Sequence, residues 1–226
     1  MIKYEAIILS GGKGTRVKKL TKNIPKCLID INGKPFLYHQ LKYLKKNNIK
    51  NVILSVGYLS EIVKEYVQKH INFINVKIVS DGKKLLGTGG AIIKSINFMK
   101  KNFYIIYGDS YFDFNIKKLK QKNNQSIMAI YKNKNKYDKS NIELKDSNKI
   151  NYFKFKVKKK LFYIDYGVSY LNKKIFIGIK KDKKFDLSSL FHNISRKNIL
   201  KGHMVKKRFY EIGSYNGIKE LKKYLK

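Results

Sequence analysis

Apolar residues in the first half of the chain follow two patterns that alternate along the sequence. Four mostly apolar runs have the length of β-strands, and between them apolar residues recur every three or four positions, as on one face of a helix. The strand-like runs are YEAIILS at 4–10, NVILSVGY at 51–58, NVKIVSD at 75–81 and FYIIYGD at 103–109. Mostly apolar runs of this length suit the middle of a parallel sheet, where strands are covered on both faces. The alternation predicts an α/β fold, a Rossmann-like and mostly parallel sheet flanked by helices.

The predicted helices lie after the first three runs. The first covers PFLYHQLKYLKKNNI at 35–49, where apolar residues recur at helical spacing behind Pro35. The apolar faces of the three helices consist of Leu37, Leu41 and Leu44, of Leu59, Ile62, Val63, Tyr66 and Val67, and of Ile92, Ile96 and Met99. Ligands of such sheets bind beyond the carboxyl ends of the strands, so chemistry is expected in the loops that follow them.

The second half is less regular. Strand-like segments are SIMAIYK at 126–132, KINYFKFKV at 149–157 and FYIDYGVSYL at 162–171, and helix-like segments are DLSSLFHNI at 186–194 and YNGIKELKKYLK at 215–226. The lysine-rich loops at 132–139 and 156–160 are interpreted as solvated turns. The length and the lack of a long linker predict a single domain over 1–226 with a small β-rich lobe.

The charge of the chain raises the question of a nucleic-acid partner. The formal net charge is +36, an electrostatic footprint that nucleic-acid-binding proteins share. However, only three of the 51 basic residues are arginine, and the lysines are spread along the whole chain. We interpret most of this charge as a solvated surface of biased composition. A basic nucleic-acid-binding α/β protein is nevertheless kept as the alternative from another functional class.

Hydrophobic content, the length of apolar stretches and the number of cysteines further restrict the class of protein. Hydrophobic residues make up 43% of the chain, which is enough to bury a core. Apolar stretches fall short of the roughly 18 to 20 residues that span a bilayer, and the single cysteine, Cys27, cannot form an internal disulfide. A cytoplasmic protein is therefore expected. Cys27 has no Cys or His neighbour at zinc-ligand spacing and is predicted to be a buried packing residue.

The stretch LSGGKGTR at 9–16 directly follows the first predicted strand. Glycines in such a turn let backbone N–H groups approach an anion closely, because no side chain intervenes. Thr15 adds a hydroxyl, and Lys13 and Arg16 add positive charge. The spacing matches neither the Walker loop nor the dinucleotide-binding fingerprint. Taken alone, the stretch fits a phosphate cradle and a tight structural turn equally well.

Further motifs accompany this one. Pro25 and Lys26 follow within ten residues, and LLGTGGAI at 85–92, YGDSY at 107–111, YIDYGVSYL at 163–171 and RFYEIGS at 208–214 lie farther along. Together these motifs resemble the sugar-1-phosphate nucleotidyltransferase family, and within it the small bacterial heptose 1-phosphate guanylyltransferase-like proteins.

The resemblance implies a reaction. A nucleotidyl group would pass from a nucleoside triphosphate to a sugar 1-phosphate, releasing pyrophosphate and leaving an NDP-sugar for surface polysaccharide. GTP and a heptose-like sugar are favoured, and a cytidylyltransferase for a phosphorylated alcohol is the nearest alternative. By the same resemblance, 1–131 would form the nucleotide-binding half and 132–226 the sugar-phosphate-binding half, which includes the β-rich lobe.

The resemblance also implies roles for residues that bind the triphosphate. Lys26 would lie against the α-phosphate and the incoming sugar phosphate, and Arg16 would bind the departing pyrophosphate. The implied nucleotide-binding residues are Leu9, Ser10, Gly11 and Gly12 for base and ribose, Gly14 and Thr15 for the phosphates, and Asp81, Gly87 and Thr88 for the base.

Asp109 is the implied catalytic carboxylate and ligand of Mg²⁺, a cation that prefers oxygen ligands. Glu211 would be a second ligand, or else a structural carboxylate bound to neighbouring backbone. The implied sugar-phosphate-binding residues are Asn141, Lys154, Asp165 and Gly167. The family usually has an acidic residue before the lysine, and here Phe153 stands there, so the sugar pocket is expected to differ.

Overall fold

The structure is a computed structural model that describes residues 2–12, 14–82, 86–120, 125–180 and 184–226. Its α-helices are α1 (Phe36–Lys46), α2 (Ser60–His70), α3 (Gly87–Ser95), α4 (Leu187–Arg196) and α5 (Tyr215–Tyr224). Its strands are β1 (Tyr4–Ser10), β2 (Asp30–Ile31), β3 (Lys34–Pro35), β4 (Asn51–Val56), β5 (Asn75–Ser80), β6 (Met99–Tyr107), β7 (Ser110–Tyr111), β8 (Ser126–Lys132), β9 (Ile142–Leu144), β10 (Ile150–Tyr152), β11 (Tyr163–Asn172), β12 (Leu200–Val205) and β13 (Tyr210–Glu211).

A central sheet carries strands from both halves of the chain. The strands β5, β4, β1 and β6 lie side by side and run parallel, with Ile7 of β1 opposite Ile53 on one side and Ile105 on the other. Beyond β6 the direction reverses, because β11 pairs antiparallel with it and places Ser169 opposite Ile105. The strands β8, β9, β10 and β12 continue from β11, so the second half extends the same sheet. The predicted α/β fold is confirmed, with a mixed, mostly parallel sheet.

Alternation along β1 divides the core between the two faces of the sheet. Ala6 and Ile8 belong to a cluster that includes Leu41 of α1 and Val63 of α2. Ile7 belongs to a cluster on the other face with residues of α3 and α4. All of these side chains are fully or almost fully buried, which explains why β1 is mostly apolar.

A third, smaller cluster fixes the C-terminal segment next to the loops at the carboxyl edge of the sheet. Val17, Phe36, Ile212 and Leu221 are buried together there. The short strand β13 pairs with β7, which places Glu211 opposite Ser110, and the Ile212 N–H donates to the Asp109 carbonyl at 3.0 Å. Residues at opposite ends of the chain are therefore held at one edge. Among the described residues, no helix combines the length and apolar character that crossing a membrane requires.

The predicted elements match the observed ones most closely where burial is most complete. The predicted runs at 4–10 and 126–132 coincide with β1 and β8. The third predicted helix was too long, because Met99 begins β6. The segment 149–157 forms a strand only over Ile150–Tyr152, and the strand β12 was not predicted.

Candidate active site

A cleft of about 470 Å³ opens at the carboxyl edge of the parallel strands. This is the edge at which open α/β sheets bind their ligands. It is lined by Leu9, Ser10, Gly11, Gly12, Lys26, Cys27, Ser55, Asp81, Gly87, Thr88, Ala91, Tyr107, Gly108, Asp109, Lys184 and Asp186. Most of the residues predicted to bind the nucleotide therefore surround one cavity.

The glycine loop after β1 packs directly against the loop after β6. The Gly108 N–H donates to the Leu9 carbonyl at 3.0 Å, and a Cβ at Gly108 would overlap the Ser10 hydroxyl. Farther along, Gly14 has a φ of 65° and begins the short 3₁₀ turn Thr15–Val17. The predicted cationic residue Lys13 lies outside the described residues. Only glycine allows this approach of the two loops, and it holds the glycine loop next to Asp109.

Lys26 and Asp109 form an ion pair at the rim of the cleft. Pro25 is extended, with φ −61° and ψ 142°, and Lys26 begins the 3₁₀ turn Lys26–Leu28. The Lys26 Nζ donates to Asp109 Oδ2 at 2.7 Å. The two side chains are 15% and 32% exposed, so the pair is screened less than one on the open surface. The structure brings together the cation and the carboxylate that the motifs singled out.

Arg16 and Glu211 complete this charged group around Gly213. A Cβ placed on Gly213 would lie 2.7 Å from Glu211 Oε2, 2.8 Å from Arg16 Nη2 and 3.2 Å from Lys26 Nζ. Two cationic side chains and one carboxylate thus approach a single point near Asp109. Two such cations placed together suit a site where several phosphate groups must be neutralised.

The Glu211 carboxylate is held by the segment that leads into α5. Its Oε2 accepts a hydrogen bond from the Gly213 N–H, and its Oε1 accepts one from the Ser214 hydroxyl. A Cβ on Gly217 would overlap the same carboxylate. Ser214 in turn caps α5 by accepting from the Gly217 N–H at 3.0 Å. Of the two roles that the sequence left open, these contacts favour the structural one.

Asp81 lies at the wall of the cleft next to the glycine turn that begins α3. Its Oδ2 accepts from the Leu86 N–H at 3.3 Å, while its Oδ1 is buried and lacks a hydrogen-bond partner within the described part of the chain. Burial raises the pKa of the Asp81 carboxyl above its ordinary value. Leu85, the first residue of the LLGTGGAI motif, is outside the described residues. Asp81 therefore presents an unused acceptor at the cleft.

Residues 184–187 cover the beginning of α3. The Phe185 N–H donates to the Leu86 carbonyl at 3.1 Å, and the Gly89 N–H donates to the Phe185 carbonyl at 3.0 Å. The Thr88 hydroxyl oxygen accepts from the Leu187 N–H at 2.8 Å. Thr88 was expected to offer hydrogen bonds to a base, but its hydroxyl already accepts this bond, which joins the two halves of the chain. The same contacts bring Lys184 and Asp186 into the cleft.

Asn141, Asp165 and Gly167 form a polar network beyond the cleft. Asp165 Oδ2 accepts from the Tyr107 hydroxyl at 2.7 Å, and Oδ1 accepts from the Gly167 N–H at 2.9 Å. The Asp165 N–H donates to Asn141 Oδ1 at 3.1 Å. Gly167 has a φ of 90° at a bulge where the pairing of β8 and β11 shifts, a conformation that favours glycine. Burial raises the pKa of the Asp165 carboxyl to about 6.

Lys154 is placed differently from the other predicted residues. Its Nζ donates to the Ser189 hydroxyl on α4 at 2.8 Å and lies 5.1 Å from the centre of the Phe155 ring. It does not belong to the group of residues that line the cleft. In this conformation the Lys154 ammonium contacts α4, so its assignment to the sugar phosphate stays a prediction.

Comparison with known proteins then decides the family. The nucleotidyl transferase family model matches residues 5–223. The chain belongs to the nucleotidyl transferase family. Among curated relatives, the transferase is 37% identical over 211 residues to D-glycero-alpha-D-manno-heptose 1-phosphate guanylyltransferase of Campylobacter jejuni, covering 92% of this chain and 94% of the relative. An enzyme of the same description from Aneurinibacillus thermoaerophilus is 30% identical, covering 91% and 87%.

A solved structure supports the same relationship. The crystal structure of HddC from Yersinia pseudotuberculosis complexed with GMP-PN superimposes on the transferase with a TM-score of 0.82 and 26% identity. The match covers 99% of this chain and all of that one. The predicted family and enzyme class are therefore confirmed: the chain is a nucleotidyltransferase.

The donor atoms near the ion pair of the transferase fit a magnesium ion. In the described ranges no three His, Cys, Asp or Glu side chains converge on one point, so the protein alone does not supply a full set of ligands. Mg²⁺, however, usually takes one or two carboxylates, keeps several waters and binds substrate phosphates. Asp109 meets that need, since, among the residues that the structure describes, its Oδ1 accepts only a long contact of 3.4 Å from the Ser110 hydroxyl.

Cys27 is 2% exposed, and burial raises the pKa of its thiol to about 12. Both observations confirm that Cys27 is a packing residue and argue against a role as a nucleophile.

Three residues that line the cleft were not predicted from the sequence: Tyr107, Lys184 and Asp186. Tyr107 stood inside the YGDSY motif, whereas the position of residues 184–187 depends on contacts with a distant part of the chain.

Proposed function

We propose that the transferase moves a guanylyl group from GTP to a heptose-like sugar 1-phosphate, releasing pyrophosphate and leaving a GDP-activated sugar for surface polysaccharide. The observation that carries this proposal is the Lys26–Asp109 pair at 2.7 Å, at the rim of a cleft that begins with the glycine loop. The names of the two curated relatives support the choice of base and sugar.

The chemistry asks the protein mainly to position two anions and to neutralise their charge. The sugar phosphate oxygen must attack the α-phosphate of the nucleotide, and the two groups repel each other. Lys26 stands where its ammonium reduces that repulsion, and Arg16 lies close enough to hold the β- and γ-phosphates that depart as pyrophosphate. The backbone of the glycine loop, including Gly11 and Gly12, offers N–H groups to the nucleotide.

Mg²⁺ would be held by Asp109 and would neutralise and orient the α-phosphoryl group for in-line attack. The Lys26 ammonium, which here donates to Oδ2, would then contact the phosphates of the substrates. The ion pair is therefore interpreted as the arrangement that keeps both groups in place before substrates arrive.

The sugar phosphate is proposed to bind on the side of the Asp165 network. Gly167 packs against Ser110, since a Cβ on Gly167 would lie 2.7 Å from the Ser110 hydroxyl oxygen, and Ser110 follows Asp109. Asn141 and Asp165 are thereby linked to the reacting centre. The division into a nucleotide half and a sugar half at 131/132 stays a proposal, and residues 184–187 are its exception because they reach the nucleotide side.

The decisive experiment is a matrix of ATP, CTP, GTP and UTP against a panel of sugar 1-phosphates, together with phosphocholine, read out as released pyrophosphate. We expect the highest kcat/KM with GTP and a heptose 1-phosphate, and release slower by about a hundredfold or more with Lys26→Met under the same conditions. Preference for CTP and phosphocholine, or for a different base with every sugar, would overturn the proposed specificity.

A further inference from the structure

Residues 184–187 attach a part of the sugar half to the nucleotide side of the cleft. Besides their hydrogen bonds to Leu86, Thr88 and Gly89, they pack so closely that a Cβ on Gly89 would overlap the Phe185 ring. Gly87 has a φ of 73°, and a Cβ there would lie 2.7 Å from the Phe185 carbonyl oxygen. The segment is thus held mainly by its backbone and the Phe185 ring. These contacts with α3 do not use the side chains of Lys184 and Asp186.

Asp186 precedes α4 but does not act as its side-chain cap. Aspartate at this position normally accepts from the first N–H groups of its own helix. In the described part of the chain, the Asp186 carboxylate makes no such bond, and the Ser189 N–H donates to the Asp186 main-chain carbonyl instead. The Asp186 carboxylate faces the cleft, with Oδ1 3.0 Å from the position of a Cβ on Gly87.

Asp81 supplies a second acceptor to the same cleft. Its Oδ2 lies 3.6 Å from the position of a Cβ on Gly11, in the glycine loop, and its Oδ1 is buried without a partner among the described residues. Lys184 adds a donor at the same cavity. The nucleotide side therefore presents two carboxylates and one ammonium, contributed by two separate segments of the chain.

We propose that Asp186, together with Asp81, selects guanine by accepting from its N1–H and 2-amino groups, with Lys184 placed to donate to O6. This inference rests on the proposed function, since it names the residues that choose the base.

Guanine presents two adjacent N–H donors and a carbonyl on one edge. Adenine and cytosine place an unprotonated ring nitrogen beside a single amino group, and uracil places carbonyls on both sides of one N–H. A carboxylate that faces the unprotonated ring nitrogen of adenine or cytosine, or a carbonyl oxygen of uracil, is repelled by a lone pair. This repulsion weakens the binding of the wrong base.

Inosine nucleotides provide the sharpest probe, because hypoxanthine differs from guanine only in lacking the 2-amino group. We measure the Kd of GMP and of IMP by calorimetry, without any sugar substrate. The unaltered protein is expected to bind GMP about 10- to 100-fold more tightly than IMP, the range expected for hydrogen bonds to a charged group. Asp186→Ser should bring the two affinities within about threefold, mainly by weakening GMP. Serine is chosen because it is itself a good residue at the start of a helix.

The matched control is Asp146→Ser, an exposed aspartate that begins a 3₁₀ turn and is not part of the cleft lining. It should leave the GMP to IMP ratio unchanged. A ratio that stays the same in a folded Asp186→Ser protein and also in Asp81→Asn would overturn the assignment. The binding measurement is independent of turnover. If GTP yields no pyrophosphate with any sugar but the ratio still responds to Asp186→Ser, then the proposed reaction fails and the base selection stands.

Discussion

The Lys26 ammonium and the Asp109 carboxylate meet at 2.7 Å although 83 positions separate them in the chain. Two local structures produce this contact: the turn after Pro25 and the end of β6. An ammonium group binds phosphate, and a carboxylate binds a metal ion. The contact therefore places a cation and a possible metal site within one reaction centre.

Removal of either partner should abolish most of the activity with little effect on folding. Lys26→Met and Asp109→Asn are each expected to lower kcat for pyrophosphate release by about a hundredfold or more, the scale seen when a group that stabilises developing charge is deleted. Because both side chains are partly exposed, the melting temperature should change by only a few degrees. Steady-state kinetics and thermal denaturation check these two expectations.

The matched control pair is Lys69 and Glu65 on α2, which also meet at 2.7 Å but are exposed on the surface. Lys69→Met and Glu65→Gln should leave kcat unchanged. Near-normal turnover by Lys26→Met would contradict its role at the phosphates, and an equal loss in Lys69→Met would show that the loss reflects general charge rather than position.

Removal of divalent metal should stop the reaction reversibly. Since Mg²⁺ is proposed to be held by Asp109 together with substrate phosphates, excess EDTA should bring pyrophosphate release to background, and added Mg²⁺ should restore it. Asp109→Asn should need a much higher Mg²⁺ concentration for half-maximal rate, if any rate is measurable. Full activity in EDTA would contradict the metal proposal and leave Asp109 only as the partner of Lys26.

The elements and motifs that could be predicted are those whose cause is local. The strand β1 was predicted over its observed bounds, because burial on both faces leaves a mostly apolar run. The strand β12 was missed, because its sequence LKGHMV mixes polar and apolar residues and part of it is exposed. Likewise, the glycine loop and Lys26 stood in recognisable motifs, whereas nothing near Asp186 in the sequence shows that its segment packs on α3.

The Asp165 carboxyl should make stability depend on pH. Burial raises its pKa from the ordinary 3.8 to about 6 in the folded state, so folding favours the protonated form. Its contribution to stability is therefore fully present below about pH 4 and is lost as the pH rises through about 6. A shift of this size corresponds to at most about 3 kcal/mol. The free energy of unfolding of the natural protein should fall by that amount relative to Asp165→Asn between pH 4 and pH 8.

Urea denaturation of both proteins across that pH range measures the difference, in which the titration of all other groups largely cancels. Tyr107→Phe provides a second test, because the Tyr107 hydroxyl donates to the carboxylate and holds the pKa of Asp165 lower than burial alone would set it. In Tyr107→Phe the fall in stability should be larger and extend to higher pH. Parallel stability curves for the natural protein and Asp165→Asn would refute the pH-dependent role.

The role of Glu211 can be separated from that of Asp109 by comparing stability with metal dependence. Both Glu211 oxygens accept hydrogen bonds from the segment that leads into α5, and the carboxylate fills the space beside Gly217. Glu211→Gln should therefore lower the free energy of unfolding by about 1–3 kcal/mol, the usual loss for hydrogen bonds to a charged group. Gly217→Ala should destabilise the protein at least as much, because its methyl group would displace the carboxylate, whereas Asn216→Ala on the exposed side of α5 should have little effect.

The Mg²⁺ concentration for half-maximal rate should change less than about threefold in Glu211→Gln, since the ion is assigned to Asp109 and substrate phosphates. A shift of tenfold or more, with unchanged stability, would instead make Glu211 a metal ligand.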